Sequence, residues 1–227
     1  TRYQQYFAIK KILKKIEKDN LLLAADMFKP RLATPEEQEI MSKYVGWGGL
    51  ASAFDEQNTN WSTEYTQLKE LLTDAEYESA RASTLDSFYT SPVIIDSIYS
   101  ALDSFNFKGG NVLEPAMGVG NFFGRMPNEM QTNSNLYGFE LDSLSGRIAK
   151  QLYPNANIKI KGFEKNNFSD EYFDVAIGNV PFGDLPFVDH KHHTRKLHDY
   201  FFSETLDKIK DGGIIAFITS TGTLDKK

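Results

Sequence analysis

The sequence predicts an α/β fold: a mostly parallel sheet with helices on both faces, preceded by a helical region over residues 1–86. Three observations carry this. Beyond residue 88, short apolar runs alternate with amphipathic helical segments, the pattern of parallel strands joined by crossovers. The first run, Asn111-Val-Leu-Glu114, opens into a glycine turn, Gly118-Val-Gly120, and the second, Leu136-Tyr-Gly-Phe-Glu140, ends on a carboxylate. Residues 1–86, by contrast, show helical periodicity and helix caps.

The chain has 227 residues, 41% hydrophobic and 25% charged, enough for one α/β domain with an accessory segment. No run approaches the ~20 apolar residues needed to span a bilayer, and no signal-peptide pattern opens the chain. A cytoplasmic setting without a membrane partner is therefore expected. The sequence starts at Thr1 without Met and reads as part of a longer polypeptide. With no cysteine, disulfides, thiolate catalysis and cysteine-ligated zinc are excluded. A net charge of −6 argues against a free-standing reader of duplex DNA, which needs a basic face. Any grip on nucleic acid is local or supplied from elsewhere.

Taken in order, residues 4–19 form an amphipathic helix with Ile9, Ile12, Leu13 and Ile16 on one face. Lys10, Lys11, Lys14, Lys15 and Lys18 decorate the rest, as a solvated or phosphate-contacting surface. Thr34-Pro35-Glu36-Glu37 starts a second helix, with Thr34 as cap and Glu37 as its capping-box partner. That helix runs to about Tyr44 and stops at Gly46-Trp47-Gly48-Gly49, read as a tight turn with a buried Trp or as a loop beside a ligand. Ser62–Leu72 and Thr73–Ala82 are two further helices, the second with a Thr73/Glu76 capping box.

The α/β portion opens with a helix from Ser91-Pro92, whose stripe is Ile94, Ile95, Ile98, Tyr99 and Leu102. Strands follow at 111–114, 136–140, 158–160 and 173–177. A helix runs from about His198 to Ile209, and after Gly212-Gly213 comes a fifth strand, Ile214–Ile218. In such sheets ligands bind at the carboxyl ends of the strands. Three features are predicted to fall on that rim. Gly118 and Gly120 let a ligand approach the backbone. Glu140 is placed to accept from ribose hydroxyls, 20 residues past Gly120. Asn179-Val180-Pro181-Phe182 leaves the fourth strand beside both. The Asn179 oxygen and the Val180 carbonyl can accept both hydrogens of an –NH2 group, Pro181 stiffens the backbone, and the Phe182 ring can stack on the system that bears the amine. The competing reading of that segment is a plain turn.

A nicotinamide site fits less well. Gly118-Val-Gly120-Asn-Phe-Phe-Gly124 is one residue longer than a dinucleotide fingerprint, and Glu114-Pro115 just before it suits a cationic ligand instead. His190, His192, His193 and His198 cluster with Lys191, Arg195 and Lys196. No cysteine or spaced carboxylate set makes them a metal site, so a loop against phosphates or solvent is expected.

Phe88-Tyr-Thr-Ser-Pro92, Glu114-Pro-Ala-Met-Gly-Val-Gly120, Glu140, Gly162-Phe-Glu164 and Asn179-Val-Pro-Phe182, in this order, resemble the gamma-type amino-methyltransferases that methylate adenine in DNA. Ala33-Thr-Pro-Glu-Glu-Gln and Tyr44-Val-Gly-Trp-Gly-Gly-Leu50 look more specifically like helicase–methylase fusion proteins of bacterial conjugative elements and phages. The resemblance implies a Rossmann-like catalytic core over 87–227 and S-adenosyl-L-methionine as cofactor. It also implies DNA as substrate and a helicase region in the same polypeptide. Tyr89 and Thr90 would hold the methionine carboxylate. Glu114, Pro115, Ala116, Gly118, Gly120 and Asn121 would surround the methionine moiety. Glu140, with Leu141, would bind the ribose side, and Glu164 would lie near the adenine. Asn179, Val180, Pro181 and Phe182 would hold the target base, flipped from its duplex. Two departures stand out: Val180 replaces the family's usual first Pro, and two further strands are expected beyond Lys227, leaving the sheet incomplete at its C-terminal side. Methylation of protein glutamine or RNA, and a non-catalytic DNA-handling or anti-restriction module that keeps the fold, are the alternatives.

Overall fold

The computed structural model describes residues 2–25, 30–84, 90–181 and 186–219. Its helices in chain order are α1 (Arg2–Ala25), α2 (Pro35–Met41), α3 (Ser62–Leu71), α4 (Asp74–Ala82), α5 (Pro92–Ser104), α6 (Asn121–Arg125), α7 (Asn128–Thr132), α8 (Ser143–Leu152) and α9 (Leu197–Lys208). The strands are β1 (Asn111–Glu114), β2 (Asn135–Glu140), β3 (Asn157–Ile160), β4 (Phe173–Asn179), β5 (Pro186–Asp189), β6 (Thr194–Lys196) and β7 (Ile209–Ile218). No helix among the described residues is long and apolar enough to cross a membrane. The chain divides into two compact units, Thr1–Tyr89 with Asp142–Pro154, and Thr90–Leu141 with Asn155–Lys227.

The first unit is helical and takes in α8 from the middle of the chain. Ile9, Leu13 and Ile16 recur at helical spacing on α1 and are buried. Both capping boxes form, Thr34 with Glu37 and Thr73 with Glu76. Trp47 is 2% exposed and meets Tyr6 edge-on at 4.6 Å and Phe54 at 5.5 Å. Gly46 and Gly49 bring the chain around this ring at φ 72° and 75°, conformations that glycine adopts without strain. The glycine–tryptophan segment is thus a core turn of this unit.

The helical pattern of α1 misplaces one lysine. Lys10 does not decorate a solvated face; it is 2% exposed and its ammonium bonds Glu76. Arg147 on α8 bonds Glu76 as well, and reaches Glu17 at 2.6 Å. A buried ammonium needs a fixed counter-charge, and Glu76 supplies it while capping α4 through the Thr73 N–H at 2.9 Å. Gln38 Nε2 to the Gln151 carbonyl (2.7 Å) and Ser79 to Asp142 (2.9 Å) tie α8 further to α2 and α4.

The second unit holds a five-stranded sheet in the order β3-β2-β1-β4-β7. Every adjacent pair is parallel. Val112 and Leu113 on β1 and Val175, Ala176 and Ile177 on β4 are fully buried, as the central strands of a parallel sheet must be. Leu113, Phe139, Phe163, Phe173, Ala176 and Val180 form one cluster with Tyr200 and Phe201 of α9. β7 starts at Ile209, earlier than the sequence predicts, and runs through Gly212-Gly213. Gly212 sits at φ 79°, and the pairing with β4 shifts between Phe173 and Val175 to absorb the extra residues. A Cβ on Gly213 would stand 2.9 Å from the Asp174 carbonyl oxygen, so the bulge needs glycine there. β5 and β6 form a separate antiparallel hairpin that the sequence reading did not anticipate.

Candidate functional site

Parallel pairing sends the carboxyl ends of all five strands to one rim. Glu114 closes β1, Glu140 closes β2 and Asn179 closes β4, and β1 lies between the other two. The register is explicit: Glu114 pairs with Gly138, Glu140 with Ile160, and Asn179 with Ile218. The sequence placed Glu140 and Asn179 on one edge, and the topology brings them there with Glu114 in the middle.

The glycine turn is bound to that rim by backbone bonds. Met117 N–H donates to the Phe139 carbonyl at 2.9 Å, and Gly120 N–H to the Met117 carbonyl at 2.8 Å. Gly118 N–H donates to Glu140 Oε2 at 2.7 Å, joining the turn to the end of β2. Gly118 has φ 56° with open space where a Cβ would stand, and Gly120 has φ 83° as it starts α6. A side chain at 118 would therefore be strained and would enter the space above the turn. Met117, which the sequence reading passed over, packs its sulfur onto Gly138, where any Cβ would collide with it. The signal was present: a lone glycine inside an apolar strand marks a close approach.

Glu114 is the anomaly of the site. It is 2% exposed, and its Oε2 has no hydrogen-bond partner among the described residues. Burial, with the charge of Glu140 added, holds its carboxyl well above the usual carboxylate range. A buried acceptor left without a donor is expensive, and a ligand carrying a cation or N–H groups would relieve it. Gly178, at φ 154°, leaves its flank bare, so a Cβ there would lie 3.7 Å from Glu114 Cγ.

The remaining predicted residues fall as follows. Thr90 is buried just ahead of α5, and Pro115 is buried with Ala116 half-buried beyond β1. Asn121 begins α6, and Leu141, 75% exposed, stands directly after Glu140. Glu164 lies in a short 3-10 turn, Phe163–Lys165, after β3, with its carboxylate folded against Gly162. Asn179 presents a buried side-chain oxygen, Val180 is buried in the core cluster, and Pro181 is half-buried. Tyr89 and Phe182 lie outside the described residues. Among the histidines, His192 is brought close to Glu204 and Asp207. The ammonium of Lys191 already lies 3.3 Å from Glu204 and 2.6 Å from Asp207, so the chain supplies the cation for those carboxylates itself.

The five-stranded parallel sheet with flanking helices, the glycine turn after β1 and the acid ending β2 match a Rossmann-like fold that S-adenosylmethionine-dependent methyltransferases also have. Solved structures agree. The methyltransferase subunit of a type I restriction-modification system from Streptococcus thermophilus superposes with a TM-score of 0.51 over 76% of this chain and 45% of its own, at 15% identity. A Listeria monocytogenes protein provisionally assigned as a class I S-adenosylmethionine-dependent methyltransferase covers 100% of this chain and 76% of its own, with a TM-score of 0.50 and 14% identity. In sequence, the chain is 29% identical over 195 residues to Defense against restriction protein B of Escherichia phage P1. That match covers 82% of this chain, which spans 7% of the phage protein's length. No family model matches the sequence.

Proposed function

We propose that this chain is the catalytic core of an S-adenosylmethionine-dependent methyltransferase acting on the exocyclic amine of adenine in DNA. The observation that supports it most is the rim itself: a cofactor-type turn and acid on β1 and β2 stand next to an Asn-Val-Pro acceptor segment on β4. The residues present fit the cofactor. Its amino-acid end carries an ammonium that suits the unpartnered Glu114 oxygen, with Thr90, Pro115, Ala116, Gly118, Gly120 and Asn121 around it. Glu140 and Leu141 would take its ribose, and Glu164 would border its adenine.

When bound, the cofactor supplies an electrophilic methyl group on a sulfonium. The chain's own contribution is positioning. Asn179 Oδ1 and the Val180 carbonyl each accept one hydrogen of the target –NH2, which turns the nitrogen lone pair out of conjugation and toward the rim. Pro181 limits the freedom of those acceptors, and burial of Val180 anchors them to the core. Near-attack placement of this kind can supply most of the rate. Phe182, at the end of the motif, would stack on the flipped base, worth about 1–3 kcal/mol. Selection of the DNA sequence and the coupled helicase belong, in this reading, to the rest of a longer cytoplasmic polypeptide.

Incubating the chain with cofactor tritiated on the methyl group and with separate DNA, RNA and protein pools tests the assignment. Label is expected in DNA, recovered as N6-methyladenine; label only in RNA or protein would overturn the DNA reading. The Glu114 environment adds a second expectation. Burial raises the Glu114 carboxyl, and a facing ammonium would lower it again, so cofactor binding should release protons and strengthen as pH rises. Calorimetry in two buffers of different ionisation enthalpy should give different apparent heats for the native chain and equal heats for Glu114→Gln.

A further inference from the structure

The β5–β6 hairpin follows Pro181 closely in the chain, and it meets α9 through the Phe187 ring, 4.6 Å from that of Tyr200, and through a charged centre. His192 Nδ1 lies 2.5 Å from Asp189 Oδ2, and Nε2 lies 2.9 Å from Asp207 Oδ2 and 3.8 Å from Glu204 Oε2. Its side chain is 13% exposed. Asp189, on β5, also receives the backbone N–H of Lys191 and of His192, so it shapes the turn that presents the ring. Other groups face this centre as well. Lys191 reaches Glu204 and Asp207, Lys208 lies 3.6 Å from Glu204, and Asn166, from the segment after β3, donates to Glu204 at 2.8 Å. The Tyr200 ring lies 6.4 Å from the imidazole.

A neutral imidazole has one N–H and one lone pair. Set between two carboxylates, it would turn that lone pair on an anion; only the doubly protonated ring donates to both. We infer that His192 is a positioning residue whose imidazolium clamps onto α9 the β5–β6 hairpin, which begins five residues beyond Pro181. The inference rests on the methyl-transfer reading for its consequence, but not for the clamp itself. Burial works against the charged ring, yet the hydrogen bonds to Asp207 and Asp189 outweigh it and place its titration above the ordinary histidine value. With the folded value raised, the clamp is complete below about pH 6.5. It is lost as pH climbs through the folded value.

Nuclear magnetic resonance titration of the full chain tests this. The His192 ring nitrogens and the amides of residues 187–193 should follow a single curve, centred above that of free histidine. In His192→Gln the hairpin amides should lose that titration, and in Asp207→Asn its midpoint should fall toward the ordinary histidine value, with the sheet spectrum retained in both. The Michaelis constant for adenine-containing DNA should rise several-fold across the same pH window in the native chain and stay flat in His192→Gln, with kcat changing less. Hairpin amides that ignore the ring, or a flat Michaelis constant despite a shared curve, would overturn the positioning role. So would zinc ions that restore the hairpin amides at high pH, because the site would then belong to a metal. A shared curve in a chain that methylates nothing would sink the proposed reaction and leave the clamp standing.

Discussion

Asn179→Ala is expected to lower methyl transfer by at least about 100-fold while leaving cofactor binding intact, because misplacement of reacting groups by about 1 Å already has effects of that size. Asn179 ends β4, in register with Ile218, and its neighbour Val180 is locked into the core cluster. The backbone acceptor therefore stays in place when the side chain is removed. What disappears is the second acceptor, and with it the orientation of the amine. Glu114 and Glu140 sit on β1 and β2 and keep their geometry, so the dissociation constant of S-adenosylhomocysteine should be unchanged. Single-turnover transfer to an adenine-containing oligonucleotide, with calorimetry in parallel, separates the two effects. Parallel loss of both would mean that Asn179 is structural.

Glu76→Ala should destabilise the helical unit by about 3–5 kcal/mol, the range for removing one partner of a buried ion pair. Glu76 is 9% exposed and holds the ammonium of Lys10, itself nearly inaccessible, together with Arg147. Burial alone would raise the Glu76 carboxyl; the hydrogen bond from Lys10, the Thr73 N–H and the charge of Lys10 outweigh it and bring it down to about 2. The folded value lies below the ordinary one of 4.5, so the stabilisation is present above that pH and fades as pH falls toward 2. Both tryptophans, Trp47 and Trp61, are in this unit. Their fluorescence in urea should show the full deficit of Glu76→Ala at pH 7 and a smaller one near pH 3. Glu76→Gln, which keeps an acceptor for the Thr73 N–H, separates the charge from the cap.

Much of the α/β unit was legible because its signals are local. A glycine pair after one strand, a carboxylate ending the next and Asn-Val-Pro ending another need no partner to be read, and parallel pairing then assembles them on one rim. The capping boxes at Thr34 and Thr73 are local for the same reason. What escaped was set by distant groups. Lys10 looks like any helix-surface lysine until Glu76, remote in sequence, meets it. Gly212-Gly213 reads as a strand boundary, yet β7 continues through it, because the β4 pairing tolerates a bulge there. The β5–β6 strands are only four and three residues long and are rich in charge. Their anchor, His192 against Asp207, forms only once α9 has folded. The grouping of α8 with the N-terminal helices likewise depends on Arg147 and Gln151 finding partners on α1, α2 and α4.

The central claim is that donor and acceptor sites share one edge of the sheet, and amide chemical shifts on titration with S-adenosylhomocysteine test it most directly. Residues 114–121, 140–141 and 178–180 should move together and saturably, while Asn111, Asp174 and Lys210 at the opposite edge stay still. Absence of binding, or shifts confined to that opposite edge, would contradict the account.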